Sequence, residues 1–259
     1  MIEANAVLAI AYRDFVKFAR DRSRLFATFV LPLTMIGALG GSLQISFGQA
    51  TSFNLLVFTF TGVYAMTMWQ TTASGIISLI QDRETDLTQE IFVSPISRYS
   101  IVFGKILGET LVAFPQAIGV VLFGLVIGIG PSPEQLLLLV PTGILAALSG
   151  GAFGLLVLSN LSSHRAANQI FPFIFLPQYF LAGVFNPIES LPPVLDVVSH
   201  LSPLRYAVDL VRGVFYSGSP AYEHVVLAPP LVNLAVLGVM FGVFLSLGTV
   251  LFVNRERNR

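Results

Sequence analysis

Long apolar stretches separated by short polar segments run along most of the chain. A helix needs about 20 mostly apolar residues to cross a hydrocarbon core roughly 30 Å thick. The six stretches that meet this requirement are Leu25–Leu43, Leu55–Ile80, Ile101–Ile129, Leu136–Leu158, Ile170–Phe185 and Leu231–Val253. The fifth is short and contains Pro172 and Pro177, so a kinked or broken helix is expected there. The pattern predicts an all-α polytopic membrane protein with six transmembrane helices.

The first 24 residues have a different pattern, "EANAVLAIAYRDFVKFARDRSR" from Glu3 onwards. Apolar residues recur at roughly helical spacing, and basic residues occupy another face. This predicts an amphipathic helix over 1–24 that lies along the membrane interface with its basic side chains towards anionic lipid. The alternative is a helix that caps the bundle.

The connection before the last span is too apolar for an open loop and too interrupted for a span. Its segments "PPVLDVVSHL" and "SPLRYAVDLVRGVFY" predict two short helices, the second with Ser202 as N-cap and Pro203 at its first position. We expect a helical hairpin that folds against or dips into the outer leaflet.

Composition supports a lipid environment. Of the 259 residues, 54% are hydrophobic and 11% charged, and the mean hydropathy is +0.79. Typical soluble domains are about 25% charged. Zero net charge argues against nucleic acid as a partner. The absence of cysteine excludes disulfides and cysteine zinc sites, and the three histidines are scattered, so no metal site is predicted.

The basic residues predict the orientation. With six spans, both termini share one side, and only Arg205 and Arg212 of the 14 lysines and arginines lie on the other. We therefore expect a multi-pass membrane protein with both termini cytoplasmic. The domain layout is a single unit, 1–259: the interfacial helix, the bundle over 25–253 and a cytoplasmic tail over 254–259.

A charged segment, "QDRETDLTQEIFVSPISR" from Gln81, lies between the second and third predicted spans. Its acidic start suits the first turn of a helix. Leu87 and Ile91 stand at i, i+4, and Pro95 ends the helix. The pattern predicts a short amphipathic helix over 82–95 with an acidic face towards the cytosol. Docking to a soluble partner is favoured over a solvated loop.

Two motifs give this sequence a resemblance to a known family. "DRETDLTQEIFVSPISRYSIVFGKILGE" resembles the segment between spans two and three of the ABC type 2 transporter permeases, the membrane subunits of bacterial exporters of drugs, nodulation factors and polysaccharides. "LSPLRYAVDLVRGVFY" is similar to that family's "SP…Y…D…R" segment before the last span. The likeness covers the whole chain, although Asp82-Arg83 departs from the commoner "ERE" opening.

The resemblance implies that segment 82–95 is a coupling helix, which inserts into a groove on a cytosolic ABC ATPase. It also implies two ATPase copies, a second permease copy in a homodimer with span five near its axis, and a contribution of the N-terminal helix to the ATPase interface. ATP and Mg would be bound by the ATPase. The matching residues, as ATPase-coupling candidates, are Arg83, Glu84, Leu87, Glu90, Ile91, Ser94, Pro95 and Arg98.

The chain is expected to bind no cofactor and to catalyse no covalent reaction. It has no G-x-x-x-x-G-K-[ST] phosphate loop, so ATP hydrolysis would take place in a separate chain. The glycine-rich stretches "SGGAFGLL" and "GALGGSL" lie inside spans, where small residues allow close helix packing.

Polar and aromatic residues inside the spans are further candidates. Glu109 is an intramembrane charge and a functional candidate by default, although we favour an interfacial carboxylate paired with Lys105 at i, i+4. Substrate-path candidates are Gln116, Phe171, Phe175, Gln178, Tyr179 and Phe180. For the aromatic residues, the alternative is lipid contact or core filling.

The sequence therefore predicts the membrane-spanning permease of an ATP-driven ABC exporter that moves a drug, lipid or glycan outward. One alternative is a secondary transporter driven by an ion gradient, which would need intramembrane acids or paired interrupted helices, and Glu109 is the one such acid. The other is a membrane enzyme or scaffold, for which no cluster of polar catalytic groups is apparent.

Overall fold

The computed structural model describes residues 3–84, 96–161, 163–189 and 191–257, and it is all-helical over these residues. The α-helices are α1 Ala4–Arg20, α2 Arg22–Thr34, α3 Gly41–Phe47, α4 Leu55–Gly75, α5 Ser78–Glu84, α6 Arg98–Val126, α7 Pro133–Leu158, α8 His164–Leu181, α9 Pro193–His200, α10 Pro203–Phe215, α11 Tyr222–Val225 and α12 Pro230–Arg257. A π-helix, Met35–Gly40, joins α2 to α3.

Four helical segments in the described part of the chain are long and apolar enough to cross a membrane. They are Arg22–Ala50, α6, α7 and Tyr222–Arg255. They coincide with the first, third, fourth and sixth predicted spans. The protein is therefore a multi-pass helical membrane protein. In α6 and α7 half of the apolar window is buried, whereas in Arg22–Ala50 only 17% is, so the first span lies at the edge of the bundle with most of its surface exposed.

Helix α4, at the second predicted span, lies in the centre of the bundle. It packs against α6, α7 and α10, and 16 of its 21 residues are buried. A helix enclosed by other helices needs no broad lipid-facing surface, so it can carry polar residues. The hydroxyls of Thr61 and Thr72 donate to the backbone carbonyls of Phe58 and Met68 in the same helix. These threonines lower the hydropathy of α4 without leaving their own hydroxyls unpaired.

Close packing of α4 on α7 depends on two glycines. A Cβ atom at Gly150 would overlap the carbonyl oxygen of Trp69, and one at Gly154 would overlap that of Ala73. The backbones of the two helices therefore touch directly, as small residues permit in membrane bundles. The packing role predicted for the glycines of "SGGAFGLL" is confirmed.

Helix α8 overlaps most of the fifth predicted span, Ile170–Phe185, and it is not broken there; a kink stays a prediction. One helix of 18 residues runs through both Pro172 and Pro177. Its length corresponds to about 27 Å, close to the thickness of the hydrocarbon core. Gly183, with φ +69°, ends it. The amide of Val184 donates to the Tyr179 carbonyl at 2.9 Å, which is the hydrogen bond expected after a C-terminal glycine.

The N-terminal helix α1 packs along the first half of α6. Its buried residues are Val7, Ala11, Asp14 and Phe18. Gly104 and Gly108 of α6 allow the close approach, since a Cβ at Gly108 would lie 3.1 Å from the Cα of Ala11. An adjacent apolar row, with Leu8 and Tyr12, is exposed. The helix therefore does pack on the bundle, and contact of its exposed row with lipid stays a prediction.

Both ends of the described chain lie at the same end of the bundle. The amide of Glu3 donates to the Ser100 hydroxyl at 3.1 Å, and the guanidinium of Arg98 donates to the Val253 carbonyl at 3.3 Å. Arg255 donates to the carbonyl of Ser159 at 2.8 Å. This arrangement agrees with an even number of crossings.

Helices α9 and α10 lie at the opposite end. Pro203 begins α10 as predicted, but Ser202 does not cap it through its side chain. Its hydroxyl instead donates to Oε1 of Gln178 in α8 at 3.0 Å. Nine of the 13 residues of α10 are buried, so this helix is inserted among α4, α7 and α12.

Candidate functional site

A group of ionisable side chains gathers where α1, α2, α5 and α6 meet. This charged cluster consists of Arg13, Asp14, Lys17, Arg24, Asp82, Lys105 and Glu109. Lys105 is at its centre, with Nζ 2.8 Å from Asp14 Oδ2, 3.7 Å from Asp82 Oδ2 and 3.8 Å from Glu109 Oε1. The side chains of Lys105, Asp14 and Glu109 are only 2–3% exposed. One buried ammonium group therefore links α1, α5 and α6.

Asp82 connects the cluster to the segment that follows α5. Its carboxylate lies 2.6 Å from the guanidinium of Arg13 and 3.4 Å from Nζ of Lys17. Burial by itself would raise the pKa of Asp82, but the positive charges of Lys105, Arg13 and Lys17 outweigh it and hold the pKa below its ordinary value. Asp82 is therefore an anion that faces α1 and α6.

Two details of the predicted helix over 82–95 are thus wrong. Asp82 and Glu84 lie in the last turn of α5, not in the first turn of a new helix. Asp82 points into the bundle because basic groups of α1 and α6 surround it, and so it does not contribute to an acidic cytosolic face.

The structure describes three of the eight coupling candidates. Arg83 and Glu84 end α5, and Arg98 begins α6 beside the end of α12. Leu87, Glu90, Ile91, Ser94 and Pro95 lie outside the described residues, and their role stays a prediction.

The predicted pair of Glu109 with Lys105 is present, but it is buried in the bundle. The guanidinium of Arg24 approaches Glu109 Oε2 at 3.6 Å, and the Ser78 hydroxyl lies 3.5 Å from Oε1. Gly75 of α4 makes room for the carboxylate, since a Cβ atom there would overlap it. Glu109 thus contacts groups from three other elements.

Sequence reasoning paired Lys105 with Glu109 but did not place Arg13, Asp14, Lys17 or Arg24 in the site. Asp14 had a detectable signal, because it occupies the buried stripe of α1 together with Val7, Ala11 and Phe18. A carboxylate on an otherwise apolar stripe requires a partner. No signal of this kind marks Arg24, which is one of several arginines in a basic stretch.

A polar cavity of about 180 Å³ lies next to the cluster, between α2, α4 and α6. Thr67, Thr71 and Gln116 are among its lining residues, and the Thr71 hydroxyl donates to Oε1 of Gln116 at 2.6 Å. The hydroxyl of Thr67 is buried and has no hydrogen-bond partner among the described residues. Arg24 lines this cavity and also a charged cavity of about 270 Å³ within the cluster.

An aromatic cavity of about 380 Å³ adjoins the polar one. Phe171, Phe175 and Tyr179 of α8 line it, and Gln70 and Ser74 of α4 line both cavities. Four substrate-path candidates, Gln116 and these three aromatic residues, thus come together on adjoining walls.

The other two substrate-path candidates do not line these cavities. Gln178 accepts a hydrogen bond from Ser202, and the side chain of Phe180 is 53% exposed on the outer surface of the bundle. Phe180 lies on the side of α8 opposite to Phe171, whereas Gln178 belongs to the same buried face as Phe171 and Phe175 but contacts Ser202 rather than the cavities.

Residues of the "SP…Y…D…R" motif make contacts between helices at the end of the bundle opposite to the cluster. The carboxylate of Asp209 accepts hydrogen bonds from the amides of Leu227 and Ala228, at 2.8 and 3.0 Å, and from the Asn233 side chain at 2.6 Å. This contact fixes α10 to the start of α12. Tyr206 donates to the carbonyl of His200 at 3.0 Å, which joins α10 to α9.

Arg212 of the same motif is 2% exposed and holds α10 against α4 and α8. Its guanidinium donates to the carbonyl of Gly183 at 2.7 Å and lies 3.5 Å from the ring centroid of Phe58. The motif therefore has a structural role in this chain.

Replacement of Asp209 by asparagine is expected to destabilise the protein by about 1–3 kcal/mol. The amide has a single acceptor oxygen, so one of the three donors that surround Asp209 loses its partner. Thermal unfolding of the purified protein in detergent measures the effect. Asp196→Asn is the matched control, because the side chain of Asp196 is 46% exposed. Equal melting temperatures for the two variants would contradict this assignment.

The architecture described above is that of a helical protein that crosses the membrane several times, with cavities between its spans and a buried charged cluster at one end. The sequence profile of the family "ABC-2 type transporter" matches residues 5–216. The chain belongs to this family, and the resemblance noted from its two motifs is confirmed. It is therefore a membrane permease subunit of an ABC transporter.

Relatives of the chain are named as transport permeases. It is 24% identical over 217 residues to "Putative transport permease ycf38" of Cyanophora paradoxa, a match that covers 82% of this chain and 75% of the relative. The protein of the same name from Porphyra purpurea is 27% identical over 220 residues, which are 80% and 72% of the two chains. "Probable multidrug ABC transporter permease YbhR" of Escherichia coli K12 is 29% identical over 140 residues, 54% of this chain and 38% of the relative.

Proposed function

We propose that this chain is the membrane subunit of an ATP-driven exporter that moves a drug, lipid or glycan-type substrate outward. Two copies of a cytosolic ATPase would supply the energy, and two copies of the permease would enclose the path. ATP and Mg would be bound by the ATPase. Closure of the ATPase dimer would move segment 82–95, and the spans would follow.

The charged cluster provides the main structural support for this proposal. Asp82 lies just before residues 85–95, and its carboxylate is held by Arg13 of α1 and Lys105 of α6. Ion pairs are stronger in a buried environment than in water. A displacement of the segment would therefore be passed to α1 and to the 29-residue helix α6. This is the connection that a coupling helix needs.

We also propose that the chain crosses the membrane six times, with α4 as the second crossing and α8 as the fifth. Helix α4 begins beside Gln44, whose Oε1 accepts from the amide of Leu55 at 2.6 Å, and it ends beside Glu109 in the cluster. Helix α8 begins shortly after Ser159, at the cluster end, and ends at Gly183 beside Arg212. Both helices thus run from one end of the bundle to the other. The concentration of basic residues at the cluster end supports a cytoplasmic location for both termini, in a bacterial plasma membrane.

Replacement of Leu87 and Ile91 by glutamate is expected to uncouple transport and to weaken co-purification of the permease with its ATPase, while the protein stays in the membrane. The two side chains would form the apolar seam that docks into the ATPase, and burying carboxylates there is unfavourable. Affinity purification of the tagged permease, with the ATPase measured in the eluate, provides the readout. The control variant carries Gln49→Glu and Ser52→Glu, two exposed positions at the opposite end of the bundle. Normal ATPase recovery with the Leu87/Ile91 variant would refute the docking assignment.

Reconstituted vesicles test the energy source. With the ATPase subunit present, ATP should drive movement of substrate away from the side that carries the ATPase, and omission of the ATPase should abolish it. Transport that follows an imposed ion gradient without any ATPase would instead establish the secondary-transporter alternative.

A further inference from the structure

We infer that the polar and aromatic cavities form one binding site for an amphiphile with an anionic head, a phosphate or carboxylate, and an apolar body. Its role in transport rests on the proposed function, but binding itself does not require the ATPase. The two cavities adjoin along Leu31, Gln70 and Ser74, which line both of them. A single ligand can therefore occupy both.

The polar cavity favours an anionic head. Arg24 is the one charged residue among the described residues that line it, and its other polar groups are hydroxyls and amides. Among the described residues, the carboxylate oxygen nearest to the guanidinium is Oε2 of Glu109, 3.6 Å away. No described residue accepts a hydrogen bond from this guanidinium, so its donors are available to a ligand. Arginine donors in a fork suit phosphate and carboxylate oxygens.

A buried hydroxyl supplies a second and independent indication of a ligand. Thr67 lines the polar cavity with a side chain only 3% exposed, and its Oγ1 has no partner among the described residues. Buried polar groups are normally hydrogen-bonded, and exceptions call for an explanation. A polar head placed between Thr67 and Arg24 would satisfy both groups.

The aromatic cavity suits the apolar body of the ligand. Phe171, Phe175 and Tyr179 present three rings, and Leu31 and Leu176 complete an apolar wall. At about 380 Å³ this cavity has roughly twice the volume of the polar one, about 180 Å³. The larger and drier space thus accepts the larger and less polar part of an amphiphile.

Trp69 provides a built-in reporter for this site. It is the only tryptophan in the chain, it is fully buried, and its ring packs edge-on against Phe175 at 5.4 Å. Phe175 lines the aromatic cavity. A heavy-atom quencher in the cavity would therefore lie one ring away from Trp69, whereas the same quencher dissolved in the surrounding lipid would be shielded from it.

The experiment titrates the full-length permease in lipid nanodiscs with decyl phosphate brominated on its alkyl chain. We expect saturable quenching of Trp69 fluorescence. A brominated decyltrimethylammonium, with the same chain and opposite charge, should bind at least about tenfold more weakly, because Arg24 repels its head. Inorganic phosphate should not displace the bound decyl phosphate at comparable concentrations, since it cannot fill the aromatic cavity.

Arg24→Gln should weaken binding of the phosphate amphiphile by about tenfold and leave binding of brominated decyl maltoside, which is uncharged, unchanged. Arg24→Lys should retain part of the selectivity, because it keeps the charge without the fork. Arg22→Gln is the matched control, since Arg22 is an exposed arginine on the same helix, as is Arg24 with a side chain 45% exposed, but it does not line the cavity.

Three results would overturn the inference: equal affinity for the phosphate and ammonium probes, an unchanged affinity in Arg24→Gln, or full displacement by inorganic phosphate. Failure of this site and failure of the proposed function are distinguishable. ATP-driven export without selectivity for the anionic probe refutes the site alone. Selective binding in a protein that transports without any ATPase refutes the proposed function alone.

Discussion

Replacement of Lys105 by methionine is expected to cause the largest loss of stability in this protein, about 3–5 kcal/mol. Methionine keeps the length and apolar stem of the side chain but removes the ammonium group. Asp14 and Glu109, each 3% exposed, would then be left as buried carboxylates without their central cation. The yield of monodisperse protein and its melting temperature in detergent measure the effect.

Two further variants separate the charge effect from a packing effect. Lys17→Met removes an exposed lysine that reaches Asp82 at 3.4 Å with a side chain 54% exposed, and it should shift stability by less than about 1 kcal/mol. Lys105→Met combined with Asp14→Asn should recover part of the stability, because the asparagine carries no charge. If Lys17→Met were as harmful as Lys105→Met, or if the double variant were the worst of the three, the account of the cluster would fail.

Replacement of Gly150 by valine should have the second-largest effect, a loss at or above the upper end of the usual range for overpacking, about 3 kcal/mol. The new Cβ would overlap the carbonyl oxygen of Trp69. A backbone atom cannot rotate away as a flexible side chain can, so α7 would have to move off α4. The melting temperature should fall, and the fluorescence of the buried Trp69 should shift towards that of a more polar environment.

Gly238→Val is the matched control for this prediction. It introduces the same side chain in the middle of another long helix, α12, where a Cβ atom meets nothing within 4 Å. Its effect should be within the helix-propensity range, below about 1 kcal/mol. Similar melting temperatures for Gly150→Val and Gly238→Val would show that α4 and α7 do not depend on direct backbone contact.

Several features of the candidate site could be predicted because they are local in sequence. The pair of Lys105 with Glu109 follows from their i, i+4 spacing, and it is present at 3.8 Å. The other members of the cluster come from helices far apart in the chain. Asp14 and Asp82 reach Lys105 only because α1 and α5 pack beside α6, and no spacing rule encodes that contact.

The aromatic residues of α8 also could not be assigned to one face of their helix from the sequence. Composition identifies them as candidates, but a helix rich in apolar residues on most of its faces does not indicate which face is inward. In the structure Phe171 and Phe175 line a cavity, whereas Phe180 lies on the outer surface. For a similar reason Ser202 could be assigned as an N-cap from its position before Pro203, yet its hydroxyl is taken by Gln178 of a neighbouring helix.

By itself the sequence determined that the chain is helical and lies in a membrane, because apolar runs of spanning length and a scarcity of charge are properties of the residues alone. It also determined the family, through motifs that are contiguous in the chain. Only the tertiary structure decided that α4 is enclosed by other helices and that one lysine joins three carboxylates. The physical reason is that burial and charge pairing are set by which helices become neighbours, and this depends on packing across distances that local patterns do not record.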